Sequence, residues 1–599
     1  MSEHFIETYR QWLTGEVFDE ATRAELRGIE GDAREIEERF YKELNFGTAG
    51  LRGILGAGTN RMNIYTVGKV TQGLCDSLLD NPKKAGSMVK ADNPEKADSP
   101  AAPGIVISFD PRHMSAEFAR ECARIIAANG IHAYLFDDIR PTPELSFAVR
   151  RLGCAAGIMI TASHNPSAYN GYKVYGADGA QMSVADSDRV VDYTARLSGY
   201  EAIKKISVEE AHRRGLLTVI GKAVDDAYIE QVHSLSLRLG ELGDTLKTFK
   251  VIYTPLHGTG NRLVRRVLAE NGFSNVLVVP EQELPDPEFS TVKSPNPENR
   301  EAFELAIALA RRENVDIIIG SDPDCDRIGV VFRDFDGGYA VLTGNQIGCL
   351  LMEYVLAARR DAGRLDKDRA FVVKTIVTTK LANQIAAHYG LAICEVFTGF
   401  KYICEVVKER DEFGDGQFAF GFEESNGYLA GTFVRDKDGV IASMLVAEMA
   451  AWYRSQGRTL ADAMKDIYDR YGYTIDDVVS YTLEGKQGLD RIAAAMERLR
   501  AERPDAFGAF RVKLCKDYQT DESFESGAKV PGGLGMGERS NVLSYQMEDG
   551  SVFLIRPSGT EPKIKVYYGV TDASREGAQE LLRDFEGAVS AVIRDYLGI

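Results

Sequence analysis

The chain has 599 residues, of which 44% are hydrophobic and 27% are charged. This composition is ordinary for a globular protein, and at about 150 residues per domain the length suggests roughly four domains. Lysine and arginine number 71 against 89 aspartates and glutamates, so the formal net charge is −18. That balance disfavours a general nucleic-acid binder, but it leaves room for a small anionic substrate in a local basic pocket.

No segment approaches the ~20 apolar residues that span a bilayer, and the acidic N-terminus lacks the pattern of a signal peptide. The eight cysteines are scattered without a CxxC pair, and the eight histidines do not cluster. A zinc site is therefore not expected. We expect a cytoplasmic protein with reduced cysteines, as a monomer or dimer, with neither nucleic-acid nor membrane partners.

Short apolar runs alternate with helical patterns along most of the chain. The predicted strands are 104–110, 132–137, 157–162, 250–255, 275–280, 315–320 and 371–375. Between the first two, the spacing predicts a helix over 115–129, with Ser115 as its N-cap and Gly130 just after its C-terminus. The alternation predicts α/β domains with mixed or mostly parallel sheets.

The last part of the chain differs, because two predicted strands at 551–556 and 563–569 flank a polar turn and a helix follows from Ser574. This pattern predicts an α+β domain. We place the domains at 1–215, 216–330, 331–470 and 471–599. Residues 81–103 contain four prolines and almost no large apolar residue, which predicts a surface insertion.

The first candidate motif is the sequence TASHNP at 161–166. It directly follows a predicted strand, so Ser163 is expected in a loop at the strand's C-terminal end, where ligands of α/β sheets bind. Ser163 does not lie in the G-x-S-x-G pattern of hydrolases, so acyl chemistry loses support. On the residues alone, a plain turn explains Ser, Asn and Pro equally well.

The second motif is DPDCDR at 322–327, again directly after a predicted strand. In an extended loop Asp322, Asp324 and Asp326 would point to one side, and oxygen ligands of this kind suit Mg²⁺. An EF-hand is a poor match because Arg327 stands where that loop needs glycine. Chemistry through an aspartyl-phosphate stays open, and so does a solvated acidic turn.

Two later loops carry weaker signals. Glu423 and Ser425, in the glycine-flanked loop 421–427, can hydrogen-bond sugar hydroxyls, although on these residues alone a plain turn is the better explanation. The sequence RPSGTE at 556–561 offers a guanidinium, two hydroxyls and glycine-freed N–H groups, which together can surround a phosphate.

The order of these motifs, preceded by FGTAGLRG at 46–53, resembles the α-D-phosphohexomutase superfamily of phosphoglucomutases and phosphomannomutases over nearly the whole chain. The resemblance implies four domains around one central cleft, three α/β and a C-terminal α+β domain. It also implies a phosphoserine enzyme that needs Mg²⁺ and uses a hexose 1,6-bisphosphate. FEES at 422–425, FTGFKYI at 397–403 and the length are similar to the longer branch, which contains phosphoglucomutases and phosphopentomutases.

Matched motif by motif, the resemblance implies a role for each candidate residue. Ser163 is the phosphorylated serine and, with Asp322, Asp324 and Asp326, a Mg²⁺ ligand. The other expected catalytic residues are His164, Arg327 and Lys401. The expected substrate-binding residues are Arg52, Glu423, Ser425, Arg556, Ser558, Gly559 and Thr560.

The activity implied is interconversion of hexose 1-phosphate and hexose 6-phosphate, with glucose as the preferred sugar and glucose 1,6-bisphosphate as activator and intermediate. Phosphopentomutase and phosphomannomutase activity remain alternatives. Outside this class, a Mg²⁺-dependent phosphosugar phosphatase and a non-catalytic phosphosugar-binding regulator also remain.

Overall fold

The structure is a computed structural model, and it describes residues 4–47, 50–80, 104–483, 485–558 and 562–599. The predicted insertion at 81–103 lies outside the described residues. The chain forms two compact units. The first comprises Met1–Gly344, Cys404–Gly421 and Ser425–Gly457, and the second comprises Asn345–Ile403, Phe422–Glu424 and Arg458–Ile599.

The first unit opens with three helices, which are followed by a six-stranded sheet with further helices between its strands. The helices are α1 (His4–Thr14), α2 (Glu20–Gly28), α3 (Ala33–Phe40), α4 (Ile64–Leu79), α5 (Ser115–Ala128), α6 (Thr142–Arg151), α7 (Val184–Ala195) and α8 (Val208–Arg213). The strands are β1 (Gly50–Ile54), β2 (Gly104–Phe109), β3 (His132–Phe136), β4 (Ala156–Ile160), β5 (Tyr169–Gly176) and β6 (Leu217–Ile220). Their order is β1-β5-β4-β2-β3-β6. Strands β2, β3, β4 and β6 are parallel, and β5 runs antiparallel to both β1 and β4.

Every residue of β2 and β4 is buried, as their apolar sequences predict for strands covered on both faces. The last strand of this sheet, β6, follows residue 215, the predicted end of the first domain, so we propose to end that domain after β6. The helix predicted over 115–129 is present, and Gly130 adopts a φ of 75° directly after it. The prediction that Ser115 caps this helix is wrong, because its hydroxyl donates to Asp110 instead.

A second sheet of the first unit contains five strands. The elements are α9 (Lys222–His233), α10 (Leu239–Leu242), α11 (Thr245–Thr248), β7 (Lys250–Thr254), α12 (Gly260–Glu270), β8 (Asn275–Val278), α13 (Pro280–Glu283), α14 (Glu304–Glu313), β9 (Ile317–Ser321), β10 (Ile328–Arg333) and β11 (Tyr339–Val341). The strand order is β11-β10-β9-β7-β8, with β7, β8 and β9 parallel. An acidic loop therefore leaves the carboxyl end of β9, where α/β sheets bind ligands.

A third sheet has four strands in the order β13-β12-β14-β15. The elements are α15 (Gly344–Asp361), β12 (Ala370–Thr375), α16 (Leu381–Tyr389), β13 (Ala392–Val396), α17 (Phe400–Phe413), β14 (Gln417–Glu423), β15 (Gly427–Leu429), α18 (Gly439–Ser455) and α19 (Leu460–Tyr471). Strands β12 and β13 pair in parallel, as expected for an α/β domain.

The C-terminal sheet belongs to the second unit. Its elements are β16 (Tyr473–Thr482), α20 (Gly485–Glu502), β17 (Ala506–Phe507), β18 (Phe510–Asp517), β19 (Glu522–Glu525), β20 (Ala528–Val530), β21 (Leu543–Met547), β22 (Val552–Pro557), β23 (Lys563–Asp572) and α21 (Arg575–Leu597). The order is β16-β23-β22-β21-β18-β19-β20, and every pair described is antiparallel. A helix follows Ser574, as the sequence predicts, and Ser574 caps it by accepting from the N–H of Gly577.

Four domains thus follow one another along the chain, three of α/β type and a C-terminal α+β domain. The first, second and C-terminal sheets each have their own apolar core; the first, for example, centres on Ile107, Phe118 and Ile158. All eight cysteines are free thiols, and seven of them are buried. None of the helices in the described ranges has the length and apolar character that a membrane crossing requires.

Candidate active site

Ser163 lies at the carboxyl end of β4, in a loop that holds its backbone in the left-handed region with a φ of 52°. The residue is only 4% exposed. Its N–H donates to Thr161 Oγ1 at 2.8 Å, and its hydroxyl donates to Asp322 Oδ2 at 2.7 Å. The turn therefore directs the Ser163 hydroxyl at the acidic loop that follows β9.

A buried arginine that the sequence analysis missed gathers this serine loop. Arg112 donates to the carbonyl oxygens of Ser163 and Asn165, and also to those of Pro166 at 2.9 Å and Tyr169 at 3.0 Å. Its Nε lies 3.1 Å from Asp110 Oδ2 in an ion pair with no solvent exposure. The sequence marks Arg112 only by its place in a loop, two residues after Asp110 at the end of β2. Any turn could carry an arginine in such a place, so the sequence did not reveal its role.

Asp110 connects the same loop from the other side. Its carboxylate accepts from the hydroxyl of Thr161 at 2.7 Å and from that of Ser115 at 2.8 Å. Thr161 in turn accepts from the Ser163 N–H. Asp110 therefore holds the serine loop through the Thr161 side chain, and Arg112 holds it through the backbone carbonyl oxygens. Such a network holds a strained backbone conformation that an isolated turn would not keep.

The acidic loop after β9 is a tight turn rather than the extended segment considered from the sequence. The N–H groups of Asp326 and Arg327 donate to Asp322 Oδ1 at 3.1 and 3.0 Å, and Cys325 has a φ of 51°. The turn still brings Asp322, Asp324 and Asp326 together, with one ligand atom from each within 4.8 Å of the others. All three side chains are buried.

The chemistry of this set fits a divalent cation. Asp324 Oδ1 and Asp326 Oδ1 are buried and have no hydrogen-bond partner among the described residues. Buried carboxylate oxygens in this state carry a large desolvation cost unless a cation or proton compensates it. Three hard oxygen donors are the ligands that Mg²⁺ prefers.

Two lysines that the sequence analysis also missed contact the other carboxylate oxygens. Lys173 Nζ lies 2.7 Å from Asp324 Oδ2, and Lys437 Nζ lies 3.2 Å from Asp326 Oδ2. Burial raises the pKa of Asp322 well above its usual range. Burial would raise the pKa of Asp326 too, but Lys437 and Lys173 hold it below its usual range. The cluster therefore combines carboxylates of different proton affinity with fixed positive charge.

His164 and the nearby arginines complete the described surroundings of Ser163. His164 Nδ1 lies 3.2 Å from Ser163 Oγ. Burial, Arg327 and Arg52 lower the pKa of His164 to about 3, so this imidazole is neutral at neutral pH. Arg52 is exposed on β1 and donates to Asn165 Oδ1 at 3.3 Å.

Arg327 links the acidic loop to the predicted sugar-reading loop. Its guanidinium donates to the carbonyl oxygen of Ser425 and lies 3.2 Å from Glu298 Oε1. The first unit thus brings together Ser163, His164, the three aspartates, Arg52, Arg327 and the backbone of Ser425.

The remaining predicted site residues belong to the second unit. Glu423 ends β14 and is 4% exposed, and Lys401 Nζ lies 4.6 Å from the ring centroid of Tyr402. Arg556 is the last residue but one of β22, where it neighbours Tyr567. Burial and Glu424 raise the pKa of Tyr567 to about 12, although the hydrogen bond with Arg556 acts to lower it.

The predicted phosphate loop is described in part. The N–H of Ser558 donates to the carbonyl oxygen of Lys563 at 2.7 Å, which closes the turn between β22 and β23. Gly559 and Thr560 lie outside the described residues.

Comparison with known proteins finds the same four domains. Family sequence profiles match alpha/beta/alpha domains I, II and III of phosphoglucomutase/phosphomannomutase at 43–201, 226–337 and 343–471, and the C-terminal domain at 493–584. A phosphoglucomutase of Staphylococcus haemolyticus is 38% identical over 538 residues, covering 89% of this chain and 91% of that protein. A phosphoglucomutase of Staphylococcus aureus is 37% identical over 535 residues, covering 89% and 91%.

Solved structures agree on the fold. Parafusin, a phosphoglucomutase of Paramecium in its open form, aligns with a TM-score of 0.67 at 16% identity, covering 93% of this chain and 97% of that one. A phosphoglucomutase/phosphomannomutase family protein of Burkholderia thailandensis aligns with a TM-score of 0.62 at 18% identity, covering 91% and 97%. With four matching domains and relatives similar over most of their length, this chain belongs to the phosphoglucomutase/phosphomannomutase family.

Proposed function

We propose that this protein is a phosphoglucomutase that interconverts glucose 1-phosphate and glucose 6-phosphate through a phosphoserine at Ser163. The observation that carries the proposal is the hydrogen bond of 2.7 Å from the Ser163 hydroxyl to Asp322, one of three converging buried aspartates. Glucose is the favoured sugar because the relatives with the same domains over 89% of this chain are named phosphoglucomutases.

The residues divide the work of phosphoryl transfer. Asp322, Asp324 and Asp326 would hold Mg²⁺, with an oxygen of the phosphorylated Ser163. The bound ion would neutralise charge on the transferring phosphoryl group. Arg52 and Arg327 add fixed positive charge on the same side, and Lys401 is a candidate for proton transfer. Neutral His164 beside Ser163 contributes a hydrogen-bonding group rather than a charge.

The reaction needs no reagent besides the phosphorylated enzyme and the sugar phosphate. The phosphoryl group leaves Ser163 Oγ for the free hydroxyl of the sugar phosphate, the proton of that hydroxyl ends on Ser163 Oγ, and glucose 1,6-bisphosphate forms. The bisphosphate then turns over, and its other phosphoryl group returns to Ser163. Glu423 and Ser425 would contact the sugar in both orientations, while Arg556, Ser558, Gly559 and Thr560 would hold the phosphate that is not reacting.

A coupled assay with glucose 1-phosphate, mannose 1-phosphate and ribose 1-phosphate, each with Mg²⁺ and its bisphosphate, tests the proposal. We expect the highest kcat/KM for glucose 1-phosphate. A clear preference for the mannose or ribose compound would overturn the choice of sugar, and release of inorganic phosphate without isomerisation would indicate a phosphatase. We also propose that the enzyme works in the cytoplasm, in keeping with its eight free thiols.

A further inference from the structure

We propose that His257 is a positioning residue that fixes the serine loop, residues 161–166, relative to the acidic loop, residues 322–327. It acts through residues 284–298, which follow α13 and which we call the bridging segment. His257 opens the sequence HGTG at 257–260, in the connection between β7 and α12. The inference rests on the proposed mutase reaction.

Both ring nitrogens of His257 are bound to the bridging segment, and the residue is only 3% exposed. Nδ1 lies 3.0 Å from the carbonyl oxygen of Leu284, and Nε2 lies 2.8 Å from Thr291 Oγ1. Because a carbonyl oxygen can only accept, Nδ1 is the donor, and in the neutral imidazole Nε2 accepts from the Thr291 hydroxyl. Thr291 Oγ1 in turn accepts from Gln282 Nε2 at 3.2 Å. The ring therefore fastens the bridging segment at its start and near its middle.

The bridging segment contacts the serine loop and the arginine that holds it. Phe289 is 1% exposed, and the guanidinium carbon of Arg112 lies 4.9 Å from the centroid of its ring. The same guanidinium binds the backbone carbonyl oxygens of the serine loop. Ser294 Oγ donates to the carbonyl oxygen of His164 at 2.7 Å, directly beside Ser163. The bridging segment thus supports both the backbone next to the nucleophile and the side chain that shapes its loop.

The backbone that follows His257 contacts the acidic loop. The N–H of Thr259 donates to the carbonyl oxygen of Pro323, between two of the aspartates, at 2.8 Å. A Cβ atom at Gly258 would lie 2.5 Å from Pro323 Cα, so only glycine permits this close approach. His257 therefore connects to the serine loop through its side chain and to the acidic loop through its backbone. These are the two loops that meet at the Ser163 hydroxyl.

Three substitutions in the full-length protein test this role. Thr291→Val removes the hydroxyl that Nε2 binds and keeps the shape of the side chain. His257→Asn removes the same bond, and asparagine tolerates the left-handed φ of 64° at this position. Thr291→Ser keeps the hydroxyl and is the matched control. Steady-state kinetics with glucose 1-phosphate give kcat and KM, at a temperature where thermal unfolding shows that all four proteins are folded.

We expect Thr291→Val and His257→Asn to lower kcat about tenfold or more with little change in KM, because displaced reacting groups lose rate rather than binding. Thr291→Ser should keep the parental constants. Hydrogen exchange measured by mass spectrometry reports on the serine loop without relying on activity. Residues 161–166 should exchange faster in Thr291→Val and His257→Asn, and at the parental rate in Thr291→Ser.

Parental kcat, or parental exchange of the serine loop, in both Thr291→Val and His257→Asn would overturn the proposal. So would an equal loss of kcat in Thr291→Ser, because the hydroxyl bound by His257 would then not be what matters. A parent protein without mutase activity would instead refute the proposed function, and the exchange comparison would still decide whether His257 holds the serine loop.

Discussion

Asp324 has one carboxylate oxygen engaged and one without a partner. Thr142 and Lys173 donate to Oδ2 at 2.8 and 2.7 Å, whereas Oδ1 is buried without a hydrogen bond among the described residues. We expect Asp324→Asn to weaken Mg²⁺ binding about tenfold or more and to slow turnover, because one anionic ligand is lost. Titration calorimetry with Mg²⁺ measures this directly.

The control is Asp336→Asn, an exposed aspartate between β10 and β11 of the same sheet, and it should bind Mg²⁺ like the parent protein. Equal Mg²⁺ affinity in Asp324→Asn and the parent would show that the acidic turn is not a metal site.

Arg112 tests whether the position of Ser163 matters as much as its chemistry. Lysine keeps the charge toward Asp110, but it lacks the planar fork that reaches several carbonyl oxygens at once. We expect Arg112→Lys to lower kcat about tenfold to a hundredfold with little change in KM, because a slightly displaced nucleophile loses rate rather than binding. Steady-state kinetics decide this, and an unchanged kcat would reduce Arg112 to a structural ion pair.

Arg556 is expected to act mainly on binding. The loop that it begins would hold the non-reacting phosphate in ground state and transition state alike, and such uniform binding appears in KM. We expect Arg556→Ala to raise KM for glucose 1-phosphate roughly tenfold to a hundredfold, with a smaller loss of kcat. Arg583→Ala, on the exposed side of α21, should leave both constants unchanged. If kcat collapsed at a constant KM, Arg556 would belong to the chemical step.

At the scale of elements, the start of α18 contains a carboxyl group with an unusual proton affinity. Asp438 accepts from the N–H groups of Val440 and Ile441 and from the Tyr228 hydroxyl at 2.7 Å. Burial raises the pKa of Asp438 to about 7. The folded protein therefore holds this proton at pH values where the unfolded chain has lost it, so folding stability falls as the pH rises from about 4 to about 7.

Asp438→Asn should remove this pH dependence, because asparagine is also a good N-cap and carries no charge. From pH 5 to pH 8, stability should shift in favour of the Asn variant by roughly 2 kcal/mol relative to the parent. Apparent melting temperatures of both proteins across this range measure the shift. A constant difference between the two proteins at all pH values would contradict the raised pKa.

Elements were easier to predict than the contacts between them. The buried strands β2, β4 and β9 and the helix α21 follow from the spacing of their apolar residues, which is a local signal. Strand β6 was not predicted, because two of its four residues are exposed and it lacks the apolar run that marks the other strands. The cap of α5 was misassigned because Ser115 is the first residue of the helix and its hydroxyl donates to Asp110 in the preceding loop.

At the scale of the whole molecule, the sequence motifs predicted which loops carry the candidate chemistry. Ser163 and the three aspartates follow strands of different sheets, and their meeting depends on packing that no local pattern encodes. Lys173 and Lys437 were missed for the same reason, since each becomes informative only when its ammonium group reaches an aspartate far away in the chain. Arg112 was missed because its partners are backbone carbonyls, which have no sequence signature.

Phosphoryl transfer through Ser163 is tested most directly by following the phosphoryl group itself. The protein is first phosphorylated with glucose 1,6-bisphosphate, freed of excess reagent, and then mixed with glucose 1-phosphate and Mg²⁺. Mass spectrometry should locate one phosphate on Ser163. When this phosphate is isotopically labelled, the label should pass into glucose 1,6-bisphosphate and glucose 6-phosphate while Ser163 is rephosphorylated with the unlabelled phosphate of the substrate, with no labelling or turnover in Ser163→Ala. Conversion of glucose 1-phosphate to glucose 6-phosphate while Ser163 stays unphosphorylated, or by Ser163→Ala at the parental rate, would contradict the proposed mechanism.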